Sequence, residues 1–189
     1  SAPMVRALLA GTKTQTRRVV KMKPHHQIEE RDDGTPWPWM HDGERNADSW
    51  LACPYGQPGD RLWVRETFGH FERNENFAPG CDVFYRADGE SLAVEPWRPS
   101  IHMPRWASRI TLEVTGVRVE TLQDISEADA VAEGCKPIRP ELVQDGLIVR
   151  PGRSAVEEFR LVWEQIHGGG SWEKNPFVWV VTFRRIDHA

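Results

Sequence analysis

Two hydrophobic periods alternate along this chain, and glycine, proline and charged residues mark where each one stops. Met4, Val5 and Leu8 fall on one helical face within residues 4–10, and Gly11 stands where a left-handed C-cap is expected. The period then drops to two. Lys13, Gln15 and Arg17 point one way and Thr14, Thr16 and Arg18 the other, which predicts a strand leading through residues 17–21. Residues 61–68 predict a second strand, with Leu62 and Val64 inward and Trp63 and Arg65 outward, and residues 82–87 a short third one. The longest alternation covers residues 108–120, where Gly116 predicts a bulge or bend before Val117 and Val119 resume the pattern. Residues 177–183 are a last, mostly buried strand. Helical spacing returns twice. Residues 122–134 carry an N-cap at Ser126, acids at Glu127 and Asp129 near the positive helix end, and Gly134 as the stop. Residues 154–167 present Val156, Phe159, Leu161, Val162, Trp163 and Ile166 on a wide apolar face, and Gly168 to Gly170 end it.

Strands outnumber helices and there is no regular βαβ alternation, so the pattern predicts an α+β chain: a small mixed β-barrel with helices at its side, one domain over 1–189. Three stretches interrupt it as insertions, at about 22–58, 88–106 and 135–153. The first contains Pro36-Trp37-Pro38-Trp39 and reads as irregular, with a strand or hairpin around 27–31 and 48–52. It closes on the turn Tyr55 to Asp60, where Pro58 fixes φ and Gly59 supplies a positive one. The third has room for a small hairpin at 147–149. Long loops of this kind tend to carry function. The first is therefore expected to cover one mouth of the barrel, with Trp37 and the segment from Trp97 to Trp106 flanking a cleft near Lys13.

Composition narrows the classes. The 189 residues are 39% hydrophobic and 28% charged, an ordinary globular balance. No apolar run approaches the about eighteen residues of a membrane span, and no basic segment followed by an apolar run reads as a leader. Cys53, Cys81 and Cys135 are sparse and unpaired in spacing, which points to a reducing, cytoplasmic setting. A net charge of −4 argues against coating long duplexes, though not against a pocket for one nucleoside. Nine tryptophans are first of all core material, and also planes on which bases stack.

The candidate chemistry lies in Lys13, Thr16, Arg17, Arg18, Glu66, His102, Arg105 and Glu133. A threonine hydroxyl attacks only when a base takes its proton. A lysine is that base only when burial or a nearby cation such as Arg17 or Arg18 lowers its pKa. A carboxylate then orients it or relays the proton. Lys, Thr and Glu together suit amide hydrolysis, but the same residues equally describe a solvated basic edge strand and a structural Lys13–Glu133 ion pair. His102, Arg105 and Trp106 either line a base pocket or pack on the barrel. The stretch is no Walker A loop, and the seven histidines show no metal-ligand spacing, so neither metal nor cofactor is expected.

The order helix, Gly11, Lys13-Thr14-Gln15-Thr16-Arg17-Arg18, then Gly59-Asp60-Arg61-Leu62-Trp63-Val64, resembles the ASCH family of the PUA-like superfold. Ser100 to Arg109 is similar to its phage and prophage members. The resemblance covers separated pieces, about half the chain. It implies a PUA-like barrel and a modified nucleoside or RNA as partner. A bacterial branch that hydrolyses N4-acetylcytidine is similar at Lys-x-x-Thr, which implies Thr16 as nucleophile, Lys13 as its activator and Glu133, with Glu66 as rival, as the carboxylate. Arg17, Arg18, Glu66, His102, Arg105 and Trp106 are then candidates to hold substrate. This chain is nearly twice as long as that branch, and a non-catalytic RNA-binding or adaptor module and an RNA-cleaving protein stay open as alternatives.

Overall fold

The computed structural model describes residues 1–42, 47–70, 83–89, 97–142 and 148–186. In chain order the elements are α1 (Ala2–Leu9), β1 (Gln15–Val19), β2 (His26–Glu30), β3 (Pro36–Asp42), β4 (Ala47–Trp50), β5 (Arg61–Trp63), β6 (Phe68–His70), β7 (Val83–Tyr85), β8 (Thr111–Thr121), α2 (Glu127–Ala132), β9 (Glu141–Leu142), β10 (Ile148–Arg150), α3 (Ala155–His167) and β11 (Phe177–Ile186). The chain is mixed α+β. Its main sheet is antiparallel in the order β1-β11-β8-β5 and curls into a half-barrel. No helix among the described residues is long and apolar enough to cross a membrane.

Alternation on β11 separates two cores. Trp179, Val181 and Phe183 face one side, where they pack with Val114, Val119 and the α1 residues Val5 and Leu8. Val178 and Val180 face the other, under Ala130 of α2 and Ala155, Phe159 and Trp163 of α3. Burying both faces explains why this strand reads as apolar throughout. The expected bulge is present: the β8–β11 register shifts between Thr182 and Phe183, opposite Gly116. A Cβ on Gly116 would stand 2.7 Å from Thr182 Oγ1, so any side chain there forces Thr182 to move.

Helices α2 and α3 start as their sequences dictate. Ser126 Oγ accepts from Asp129 N, and Ser154 shares a capping box with Glu157. The strand expected at 61–68 is instead two: β5 ends at Trp63, and Phe68 opens β6, which pairs with β7. The small hairpin of the third insertion is β9 with β10.

The first insertion differs most from expectation. It is a three-stranded antiparallel sheet, β2-β3-β4, and the proline–tryptophan run is its central strand. β4 pairs only with Trp39 to Asp42, so Pro36 and Pro38 sit where β3 has a single strand neighbour and their missing N–H groups are tolerated. Trp37 packs edge-on against Trp179, with ring centroids 5.0 Å apart. This sheet therefore covers the sheet face opposite α2 and α3, and the expectation of a lid over Lys13 is corrected. The segment toward Trp106 forms two 3-10 turns, and its Met103 and Ala107 pack with Phe68 in a third, separate cluster.

Candidate functional site

Lys13 lies just ahead of β1, and its ammonium donates to three acceptors: the Gln15 carbonyl at 2.8 Å, the Glu133 carbonyl at 2.7 Å and Glu133 Oε2 at 2.7 Å. Arg17, two residues along the same face from Gln15, has a fully buried side chain. It donates through Nε to Glu120 Oε1 at 3.1 Å and through Nη1 to Gln15 Oε1 at 2.6 Å, and it lies 3.4 Å from Asp129 and 3.5 Å from Glu133. Gln15 Nε2 in turn donates to Asp129 Oδ1 at 3.0 Å. Arg118, beside Glu120 on the same face of β8, reaches both Glu120 and Asp129. Among the described residues, three cations thus face three carboxylates between the sheet and α2, with no formal charge left over. Asp129 and Glu133, four apart, present their carboxylates together as helical spacing demands. Burial pushes the Asp129 carboxyl up, but hydrogen bonds from Gln15 and Ser126 and the charges of Arg118 and Arg17 outweigh it and hold the group below the usual range. Cys135, buried beside this cluster, has its thiol pushed up to about 11 by burial and by the Glu133 charge, which leaves it a poor nucleophile.

Thr16 and Arg18 lie on the opposite face of β1. Their cross-strand partners are Val181 and Trp179, whereas those of Arg17 and Gln15 are Val180 and Thr182. Thr16 Oγ1 accepts from Arg18 Nη1 at 2.9 Å. So the structure brings Lys13, Arg17 and Glu133 together and leaves Thr16 and Arg18 outside that group. A lysine nitrogen that already donates to three acceptors has no lone pair to offer a hydroxyl. The arrangement at Lys13 is an ion-pair network that fixes the start of β1 to the end of α2.

Glu66, the rival carboxylate, is buried elsewhere. Both its oxygens accept from Arg109, at 2.9 and 3.1 Å, and Arg109 also grips Asp88 and lies 3.9 Å above the Tyr85 ring centroid. Burial opposes the Arg109 charge, yet the Glu66 and Asp88 hydrogen bonds prevail and raise its pKa. His102, Arg105 and Trp106 lie on a surface patch near Trp63. Arg105 is 6.0 Å from the Trp63 ring centroid, His102 is exposed and Trp106 is 69% exposed. Among the described residues no group of three His, Cys, Asp or Glu side chains gathers to hold a metal ion.

The face that carries Thr16 and Arg18 opens on a cleft of about 520 Å³, walled by Tyr55, Asp60, Arg61 and Leu62, with the fully buried Val181 behind them. The turn that forms its far wall is built by Gly56 and Gly59, both at positive φ, and by Asp60 accepting from Gln57 N at 2.8 Å. Among the described residues no carboxylate pairs with Arg18 or Arg61. Tyr55 and Arg61 were not singled out from the sequence. Their signal was the turn motif itself, which places its flanking residues beside β1 only once β5 joins the sheet through β8.

No protein-family model, no curated protein and no solved structure matches this chain.

Proposed function

We propose that this chain is a PUA-like module of the ASCH type that binds a nucleoside or an RNA base in the cleft on the Thr16 and Arg18 face of β1. The observation that carries the reading is the make-up of that cleft. Two guanidinium groups without carboxylate partners among the described residues, a threonine hydroxyl and the Asp60 carboxylate stand around the half-buried Leu62 and a tyrosine ring. A base is a flat apolar body with donors and acceptors on its edges, and pockets that take one combine apolar side chains with few polar groups. A cytoplasmic setting suits a partner of this kind.

Binding without turnover is the favoured form. Amide hydrolysis by Thr16 needs a base in reach of its hydroxyl. The neighbour that the geometry supplies is Arg18, a cation that donates to that oxygen, while Lys13 is committed to Gln15 and Glu133 on the other face.

Calorimetric titration with cytidine and N4-acetylcytidine tests this, with acetate measured in the same samples. Both nucleosides should bind and no acetate should appear. Arg18→Ala and Arg61→Ala should each weaken binding about tenfold, the scale of one hydrogen bond to a charged group. Binding unchanged in both variants would remove the cleft as the site. Acetate release that vanishes in Thr16→Ala would make the protein an amidohydrolase.

A further inference from the structure

We infer that the inserted sheet carries a second subsite, for a phosphate and its neighbouring base, so that the ligand is a single-stranded oligonucleotide rather than a lone nucleoside. This rests on the reading of the cleft given above.

Arg31 follows β2 at the tip of the insertion, and its guanidinium lies 3.5 Å from the centroid of the Trp37 ring and 5.5 Å from that of Trp50. Stacking engages the faces of a guanidinium and leaves its N–H edges free to form the paired hydrogen bonds that suit a phosphate. Among the described residues no carboxylate takes those edges. Asp33 feels the Arg31 charge, but it bonds Thr35, at 3.0 Å to the amide and 2.5 Å to the hydroxyl. The platform beneath is rigid: Trp37 is buried, donates Nε1 to the Leu51 carbonyl at 2.8 Å and rests edge-on against Trp179. An arginine fixed by stacking alone loses little side-chain freedom when an anion arrives.

These side chains border a cavity of about 370 Å³, closed below by Cys53 and Val117. Gly56 lines this cavity and the nucleoside cleft alike, so the two adjoin across a residue with no side chain to wall them apart. Trp50 is 42% exposed beside the cavity, much of its ring left to solvent. Bases stack on such rings without regard to sequence, while a cation tracks the backbone between them. A free phosphate accounts for Arg31 alone. A phosphodiester with a base on each side accounts for Arg31, the open ring of Trp50 and the shared border at Gly56 together.

The test compares cytidine with tetracytidylate RNA and its DNA counterpart at two salt concentrations, followed by tryptophan fluorescence. Both tetranucleotides should bind at least about tenfold more tightly than cytidine, because the subsite reads phosphate and ring rather than the 2′-hydroxyl. Arg31→Ala should erase that gain, reduce the salt slope by about 0.7 for each phosphate no longer neutralised, and leave cytidine affinity where it was. Trp50→Ala, at a ring 42% exposed, should erase the gain as well. Circular dichroism of both variants verifies folding. A gain that survives in both variants, or that RNA shows and DNA lacks, overturns the subsite. A tetranucleotide bound no better than cytidine also overturns it and leaves the cleft standing. Tetranucleotide binding that depends on Arg31 with no cytidine binding at all overturns the cleft and keeps the subsite.

Discussion

Lys13 grips Glu133 twice, donating to the Glu133 carboxylate at Oε2 and to the Glu133 backbone carbonyl, each at 2.7 Å and across 120 residues of sequence. The carbonyl is one of those left without an intrahelical partner at the end of α2, so a single ammonium neutralises a buried acid and caps the helix. Thr14 N donates to the Ala132 carbonyl at 2.8 Å and completes the clasp.

Removing the cation should therefore cost stability. In Lys13→Met the Glu133 carboxylate, with only 6% of its side chain exposed, keeps Arg17 at 3.5 Å as its remaining charge partner. The expected loss is about 3 kcal/mol, the scale for breaking a buried pair from one side. Urea unfolding measures it. A loss of about 0.5 kcal/mol, typical of surface pairs, would show that the pair is solvated.

Acid should loosen the same network. Asp129 has a folded pKa below its usual value. The stability it contributes is complete above the unfolded carboxyl pKa of about 3.9 and is lost as pH falls through the lower folded value. The stability difference between the wild-type chain and Asp129→Asn should be constant from pH 7 down to about pH 5 and shrink below about pH 4. Denaturant midpoints across that range test the sign; a difference that widens toward acid would contradict it.

The bulge yields a local test with its own rescue. Gly116→Ala should destabilise the β8–β11 pairing by about 1–3 kcal/mol, because its Cβ would overlap Thr182 Oγ1 at 2.7 Å. Adding Thr182→Ala removes the obstructing oxygen and should recover most of the loss in thermal unfolding. No recovery in the double variant would place the strain in the backbone instead.

Local rules were enough for much of this fold. The cap at Ser126, the helix start at Ser154 and the stop at Gly11 follow from interactions among near neighbours, and the break at Gly116 and the apolar run 177–183 show in the pattern itself, so they are legible in sequence. The central strand at Pro36 was not, because its local propensity is poor. What permits it is a partner on one side only and a tryptophan at position 179 to receive Trp37.

The candidate site divides the same way. Alternation alone put Gln15 and Arg17 on one face of β1 and Thr16 and Arg18 on the other, and the structure keeps that division. Sequence could not say which face would be closed by α2 and which would open on Tyr55 and Arg61, nor that Glu66 would be taken by Arg109. Those outcomes depend on pairs far apart in the chain, Arg17 with Glu120 and Lys13 with Glu133. Buried charge seeks the nearest opposite charge in space, and packing of the whole chain decides which one that is.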